Sequence, residues 1–173
     1  MNAIILEVFI LQGTVKLSVK KLDVIIKNMR VELKYRKDTL EFAKKLGKNL
    51  CGQKKVLAFY GDLGAGKTTF IRGLANGLGI SENVSSPTFS IVNVYKGKNI
   101  LVHFDMYRIL NLESLESTGF FDYLDEDNII AIEWAENIEE FLPKDRINIR
   151  IKAKNSENRI LDIEGLNFED FGD

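Results

Sequence analysis

The segment that most constrains this chain runs from Val56 to Gly79, VLAFYGDLGAGKTTFIRGLANGLG. A short apolar run, VLAFY, leads directly into Gly61, Gly64, Gly66, Lys67 and Thr68 at the spacing G-x-x-x-x-G-K-T. Beyond them Phe70, Leu74 and Leu78 recur at i, i+4 and i+8, and Gly79 closes the segment. The pattern predicts strand, glycine-rich loop and helix, the context in which such a loop cradles phosphates. Glycines admit backbone conformations closed to other residues. The N–H groups from Asp62 through Leu63, Gly64, Ala65, Gly66, Lys67, Thr68 and Thr69 can therefore converge on phosphate oxygens. The helix starting near Gly66 contributes its positive end. Lys67 is expected on the β- and γ-phosphates, and the Thr68 hydroxyl on Mg²⁺. A plain glycine turn is the alternative. At average residue usage the four fixed positions match by chance in roughly one chain in a hundred or fewer, and the flanking elements lower that further.

The chain of 173 residues has the length of one domain, and its 45% hydrophobic content suffices for a core. Net charge is −1 with both signs mixed, which leaves no basic footprint for DNA or for nonspecific RNA binding. The one cysteine, Cys51, has no internal disulfide partner, as in a reducing compartment, and is expected on the inner face of a helix. One His and one Cys exclude a structural zinc site. No run approaches the ~18 apolar residues of a membrane span. MNAIILEVFILQG lacks a basic leader, carries Glu7 and ends without a small-residue cleavage site, so secretion is not expected.

Residues 1–28 hold two apolar bursts around a basic stretch and do not belong obviously to the rest of the chain. The domain is expected over 29–166, followed by a tail over 167–173. Residues 1–28 then form an extension that is expected to be dispensable, with Met29 the natural initiator. VELKYR alternates like a strand, and Asp38 or Thr39 can cap a helix over TLEFAKKLGKNLC, with Leu40, Ala43, Leu46 and Leu50 on one stripe. After the glycine loop and its helix, a loop runs through Pro87. Strands TFSIVNVY and NILVHFD come next, joined by Lys96-Gly97-Lys98. A helical patch, LNLESLESTGFFDYL, breaks at Gly119; NIIAIEW forms a buried strand, and a short helix over Ala135–Leu142 stops at Pro143. RINIRIKA and NRILDIEG alternate around 155–157 as a C-terminal β-hairpin. The fold class is α/β: a P-loop NTPase fold with a mixed, mostly parallel sheet flanked by helices.

An ATPase of this kind needs an acidic residue at the end of a neighbouring strand, to hold magnesium or its waters. Asp105 and Glu133 both fit, each ending an apolar run, and the spacing alone does not choose between them. SSPTF (85–89) lies where switch loops sense the γ-phosphate in related folds, which puts Thr88 in reach of phosphate or metal. A proline turn entering a strand explains the same residues equally well. In HFDMYR (103–108), strand alternation places His103, Asp105 and Tyr107 on one face. A lone His in a strand is more often structural, but its place beside Asp105 favours a position under the nucleotide. Arg108 reads first as a structural ion pair. Trp134 reads as core, or as a residue near the nucleotide or a partner surface.

GDLGAGKTTF, SPTF, HFDMYR and IEW, in this order and at these distances, resemble the TsaE (YjeE) family, the bacterial P-loop ATPases of tRNA threonylcarbamoyladenosine biosynthesis. The resemblance covers roughly Met29 to Gly165, and the combination is more specific than the glycine loop alone. It implies a cytoplasmic ATPase binding ATP and Mg²⁺. In the family, the partners TsaB and TsaD transfer the threonylcarbamoyl group to the adenosine adjacent to the anticodon of tRNAs reading ANN codons. Contact with tRNA would be indirect. The resemblance further implies Lys67 on the phosphates, Thr68 and Glu133 as magnesium ligands, Asp105 as a catalytic or water-positioning carboxylate, and Thr88 in the switch loop. It matches Trp134 to the family's tryptophan beside the acidic ligand.

Slow hydrolysis by the isolated protein is expected, because no arginine is an evident internal finger; Arg72 and Arg108 are the candidates. A small-molecule kinase is the runner-up, disfavoured by the absence of an arginine-rich lid and of room for a substrate-binding insert. A module that needs ATP binding without hydrolysis is the third reading.

Overall fold

The apolar run preceding the glycine loop becomes the centre of a sheet. In the computed structural model, which describes residues 6–11, 14–15 and 28–166, strand β4 (Lys55–Tyr60) pairs in parallel with β7 (Ile129–Glu133) on one side and β8 (Ile147–Ala153) on the other. Strand β6 (Ile100–Asp105) extends the parallel block beyond β7, and β5 (Val92–Lys96) closes that edge antiparallel. On the other flank β9 (Arg159–Glu164) forms the expected C-terminal hairpin with β8 and pairs antiparallel with β3 (Asn28–Leu33). Strand β1 (Leu6–Leu11) lies parallel to β3, with β2 (Thr14–Val15) outside it. The order is β2-β1-β3-β9-β8-β4-β7-β6-β5, a mixed sheet in which β8, β4, β7 and β6 form a parallel block and β1 and β3 a further parallel pair on the far flank. Part of the N-terminal extension is thus a strand on the sheet. Residues 1–5, 12–13 and 16–27, and the expected tail 167–173, lie outside the described residues.

Strands β4 and β7 are buried on both faces, as a parallel core strand must be. Their alternate residues divide between two cores. Leu57, Phe59, Ile129 and Ala131 join the cluster beneath α1 (Arg36–Asn49) and α2 (Lys67–Gly77). Val56, Ala58, Ile130 and Ile132 join the opposite cluster, which includes Leu115 of α3 (Leu112–Glu116) and Phe120 of α4 (Phe120–Asp125).

Helix α2 takes its expected place: Phe70, Leu74 and Leu78 are fully buried, and Gly79 at φ 76° ends it in a left-handed turn. Helix α1 starts one turn before the predicted cap, at Tyr35. Asp38 sits at the third helical position and accepts from the Lys34 and Tyr35 N–H groups at 3.2 and 3.0 Å. Its buried stripe is Thr39, Phe42, Ala43, Leu46 and Leu50; Leu40, expected in the stripe, is half-buried. The reason is the closeness of α2. A Cβ on Gly73 would stand 2.6 Å from the Leu40 carbonyl oxygen, so α2 rests on α1 backbone there. Phe42 packs edge-on to Phe70, with centroids 6.0 Å apart.

Three further expectations change. The strand expected from Thr88 begins only at Val92, because Ile91 turns the chain at φ 65° and its N–H bonds back to the Pro87 carbonyl at 2.6 Å. Strand β6 ends at Asp105, which caps a 3-10 turn over Met106–Arg108, so Tyr107 does not continue the His103–Asp105 face. The helix expected over Ala135–Leu142 is a 3-10 segment, Ala135–Phe141, kinked at Ile138.

Candidate nucleotide site

The three parallel strands β4, β7 and β6 end side by side. Phe59 is opposite Glu133, and Glu133 is opposite Asp105. The parallel register therefore delivers both carboxylates to the edge from which the glycine loop departs, where ligands gather in open α/β sheets. The spacing of two separate strands left the two acids as alternatives; their register makes them neighbours.

A cavity of about 450 Å³ opens over this edge. Leu63, Gly64, Ala65, Gly66, Lys67, Thr68 and Thr69 form one wall, and Ser86, Thr88, Asp105, Tyr107, Glu133 and Trp134 form the rest. That volume suits a small ligand. Of the residues expected to hold nucleotide or metal or to act in catalysis, all of 63–69 and Thr88, Asp105 and Glu133 line it, and Asp62 does not; the Asp62 carbonyl accepts from Lys67 Nζ at 3.2 Å. Gly64 and Gly66 adopt φ of 77° and 110°, and α2 begins at Lys67, so the loop and helix N-terminus have the form an anion site requires.

Glu133 is 4% exposed and accepts on Oε1 from Thr68 Oγ1 at 2.7 Å and from His103 Nε2 at 3.0 Å. His103 is therefore partner to Glu133 rather than to Asp105; it is fully buried, and its Nδ1 has no hydrogen-bond partner. Asp105, also 4% exposed, accepts on Oδ2 from Ser86 Oγ at 2.6 Å and Thr88 Oγ1 at 2.8 Å, and on Oδ1 from the Tyr107 N–H at 3.1 Å. The SSPTF segment is thus tied to the end of β6 by two hydroxyls on one carboxylate oxygen.

Lys67 Nζ donates to the carbonyls of Gly61 and Asp62 and lies 3.7 Å from the centre of the Trp134 ring. Burial pushes its ammonium below the usual lysine range, opposed by the charges of Glu133, Glu136, Asp105 and Asp62. An arriving phosphate would favour the charged form further. Trp134 itself holds φ 58° and ψ 43°, a conformation aromatic side chains rarely adopt, and its ring packs against Tyr107 with centroids 5.0 Å apart.

Neither candidate internal finger lines the cavity. Arg72 Nε donates to the Val84 carbonyl at 2.9 Å, and Arg108 stacks on Phe89, 4.9 Å from the ring centre. Sequence reasoning passed over Ser86, although its hydroxyl beside Pro87 and Thr88 was a usable signal. It also passed over Tyr107 as a wall residue.

Strand β4, the glycine loop, α2 and the two strand-end carboxylates define a P-loop NTPase, a nucleotide-binding protein. Residues 33–161 match the profile of the threonylcarbamoyl adenosine biosynthesis protein TsaE. The chain belongs to the TsaE family. It is 45% identical over 105 residues to the tRNA threonylcarbamoyladenosine biosynthesis protein TsaE of Bacillus subtilis, a match covering 60% of this chain and 65% of that protein. The protein of the same name from Treponema pallidum is 35% identical over 131 residues, covering 76% of this chain and 96% of the relative. Among solved structures, YdiB of Bacillus subtilis aligns with a TM-score of 0.66 and 35% identity, over 79% of this chain and 84% of that one.

Proposed function

We propose that the protein is a cytoplasmic, Mg²⁺-dependent ATPase of tRNA threonylcarbamoyladenosine biosynthesis, acting with TsaB and TsaD rather than transferring the group itself. The observation that carries this reading is the convergence of Thr68, Glu133, Asp105 and Thr88 on the cavity above the glycine loop. The names of the relatives supply the pathway.

In this account the loop N–H groups and Lys67 bind the phosphates. The Thr68 hydroxyl and Glu133 carboxylate, 2.7 Å apart, are hard oxygen donors of the kind Mg²⁺ takes together with phosphate oxygens and water. Magnesium held there would neutralise charge developing on the β- and γ-oxygens. His103 keeps Glu133 in place through its Nε2. Asp105 orients the attacking water, and the Ser86 and Thr88 hydroxyls on its Oδ2 let the SSPTF segment respond to the state of the nucleotide. Within the described residues no arginine side chain lines the cavity, so hydrolysis by the isolated protein is slow. A cation supplied by a partner can be worth ~10³–10⁵ in rate.

Phosphate release, measured with and without TsaB and TsaD, tests the reading. Slow turnover that the partners stimulate and that Asp105→Ala abolishes is expected. Fast turnover indifferent to the partners would contradict partner activation, and full tRNA modification by an Asp105→Ala protein that binds but does not hydrolyse ATP would favour a nucleotide-gated module.

A further inference from the structure

Arg159 opens β9, ninety-odd residues beyond the glycine loop, yet its guanidinium is packed against that loop from outside. Nε donates to the Ala65 carbonyl at 2.7 Å and Nη2 to the Gly64 carbonyl at 3.4 Å. Nη1 donates to the carbonyls of Asn155 and Asn158 at 3.0 Å, and of Ser156 at 3.4 Å. All five acceptors are neutral backbone oxygens, and no carboxylate pairs with Arg159 among the described residues.

The arrangement reflects what a phosphate loop demands. When successive N–H groups turn inward to an anion, their dipoles repel one another in the empty loop, and carbonyls facing the other way need partners. Glycine makes this geometry accessible but also makes its ordering entropically costly. A planar guanidinium can hold carbonyls of two chain segments at once, which an ammonium cannot. Here one edge of the fork holds the loop and the other holds the turn between β8 and β9. The unpaired charge of the fork also adds to the positive potential behind the phosphate site.

We propose that Arg159 is a positioning residue of the nucleotide site: it clamps the outer face of the loop to the β8–β9 turn and holds the loop ready for phosphate. The residue touches no nucleotide and acts through Gly64 and Ala65. The inference rests on the glycine loop being the phosphate site.

Isothermal titration of the full chain with ATP and with ADP, alongside hydrogen exchange of the nucleotide-free protein, tests it. Arg159→Gln is expected to bind both nucleotides about tenfold more weakly, equivalent to about 1.4 kcal/mol. Exchange should accelerate at the amides of 62–66, while β8 and β9 keep their protection. Arg159→Lys retains the charge without the fork; it recovers part of the affinity but not the slow exchange, and it carries the test should the Gln variant fail to fold. Affinity within twofold of wild type in a folded variant would overturn the proposal. Weaker binding together with loss of protection throughout β8 and β9 would overturn it too, because Arg159 would then serve the fold and not the loop. Failure of the wild-type protein to bind ATP in the same titration would instead refute the phosphate site.

Discussion

Replacing Glu133 separates its two duties, holding buried neighbours and supplying a charge. Its Oε1 is the acceptor for both Thr68 Oγ1 and His103 Nε2. Glu133→Ala orphans both. A polar group left buried without its partner costs about 1–3 kcal/mol, less where water can reach it. Thr68 is half-buried and belongs at the low end, about 1 kcal/mol. His103 is fully buried and already lacks a partner at Nδ1, so it belongs at the high end, about 2–3 kcal/mol. The total of about 3–4 kcal/mol lowers Tm by about 10 °C in a domain of this size. Glu133→Gln keeps an oxygen acceptor for both donors and removes only the charge, so its Tm should stay within a few degrees of wild type. Both variants should lose the Mg²⁺-dependent part of ATP affinity. Differential scanning calorimetry and titration with and without Mg²⁺ provide the two readouts. An Ala variant as stable as wild type would refute the hydrogen-bond account, and a Gln variant with full Mg²⁺-dependent affinity would refute Glu133 as the metal carboxylate.

Gly77→Ala tests the close approach of α1 and α2, since the added methyl would meet the Lys44 carbonyl and the Lys48 N–H. Overpacking costs about 1–3 kcal/mol and outweighs the helix-propensity gain of about 1 kcal/mol, so the urea midpoint should fall. The single tryptophan, Trp134, lies against Lys67, so Mg²⁺-ATP should change its emission as Nζ moves to phosphate, and Lys67→Ala should abolish that change. Burial and the hydrogen bond to Glu139 push the Tyr60 phenol up to about 12, above the ordinary 10.0. Because the folded state holds that proton more tightly, its contribution to stability is complete below pH 10 and is lost as pH rises toward 12. Tyr60→Phe should therefore narrow the gap between urea midpoints at pH 9 and pH 11. We also propose that a chain starting at Met29 folds and binds ATP within twofold of the full chain, since β3 keeps its partner β9 and, among the described residues, no cavity residue precedes it; circular dichroism and titration check this.

The strand, glycine loop and helix of the nucleotide site were legible because every residue they need lies within one short stretch, with its own periodicity and punctuation. In the opposite wall the spacing left Asp105 and Glu133 as alternatives, and only the family resemblance gave Glu133 to the metal and Asp105 to catalysis. Choosing between Asp105 and Glu133 depends on the register of β6 against β7, which neither strand encodes alone, and the structure places them side by side. His103 shared a predicted face with Asp105 but bonds Glu133 on the adjacent strand, a cross-strand contact that alternation within one strand does not report. The strand expected from Thr88 failed at a single torsion: Ile91 has a strand-forming side chain and a left-handed backbone. Leu40 fell short of its expected burial where glycines on two helices bring their backbones together, a property of the pair. The hold of Arg159 on the glycine loop carried no local signal, since Gly64 and Ala65 lie ninety-odd residues before it.

The most direct test of the central claim is reconstitution with TsaB, TsaD, tRNA, threonine-derived donor and Mg²⁺-ATP, scored for the modified nucleoside. Sustained modification is predicted with the wild-type protein, and none above background with Lys67→Ala. Equal modification with the Lys67→Ala protein, or with this protein left out, would contradict it.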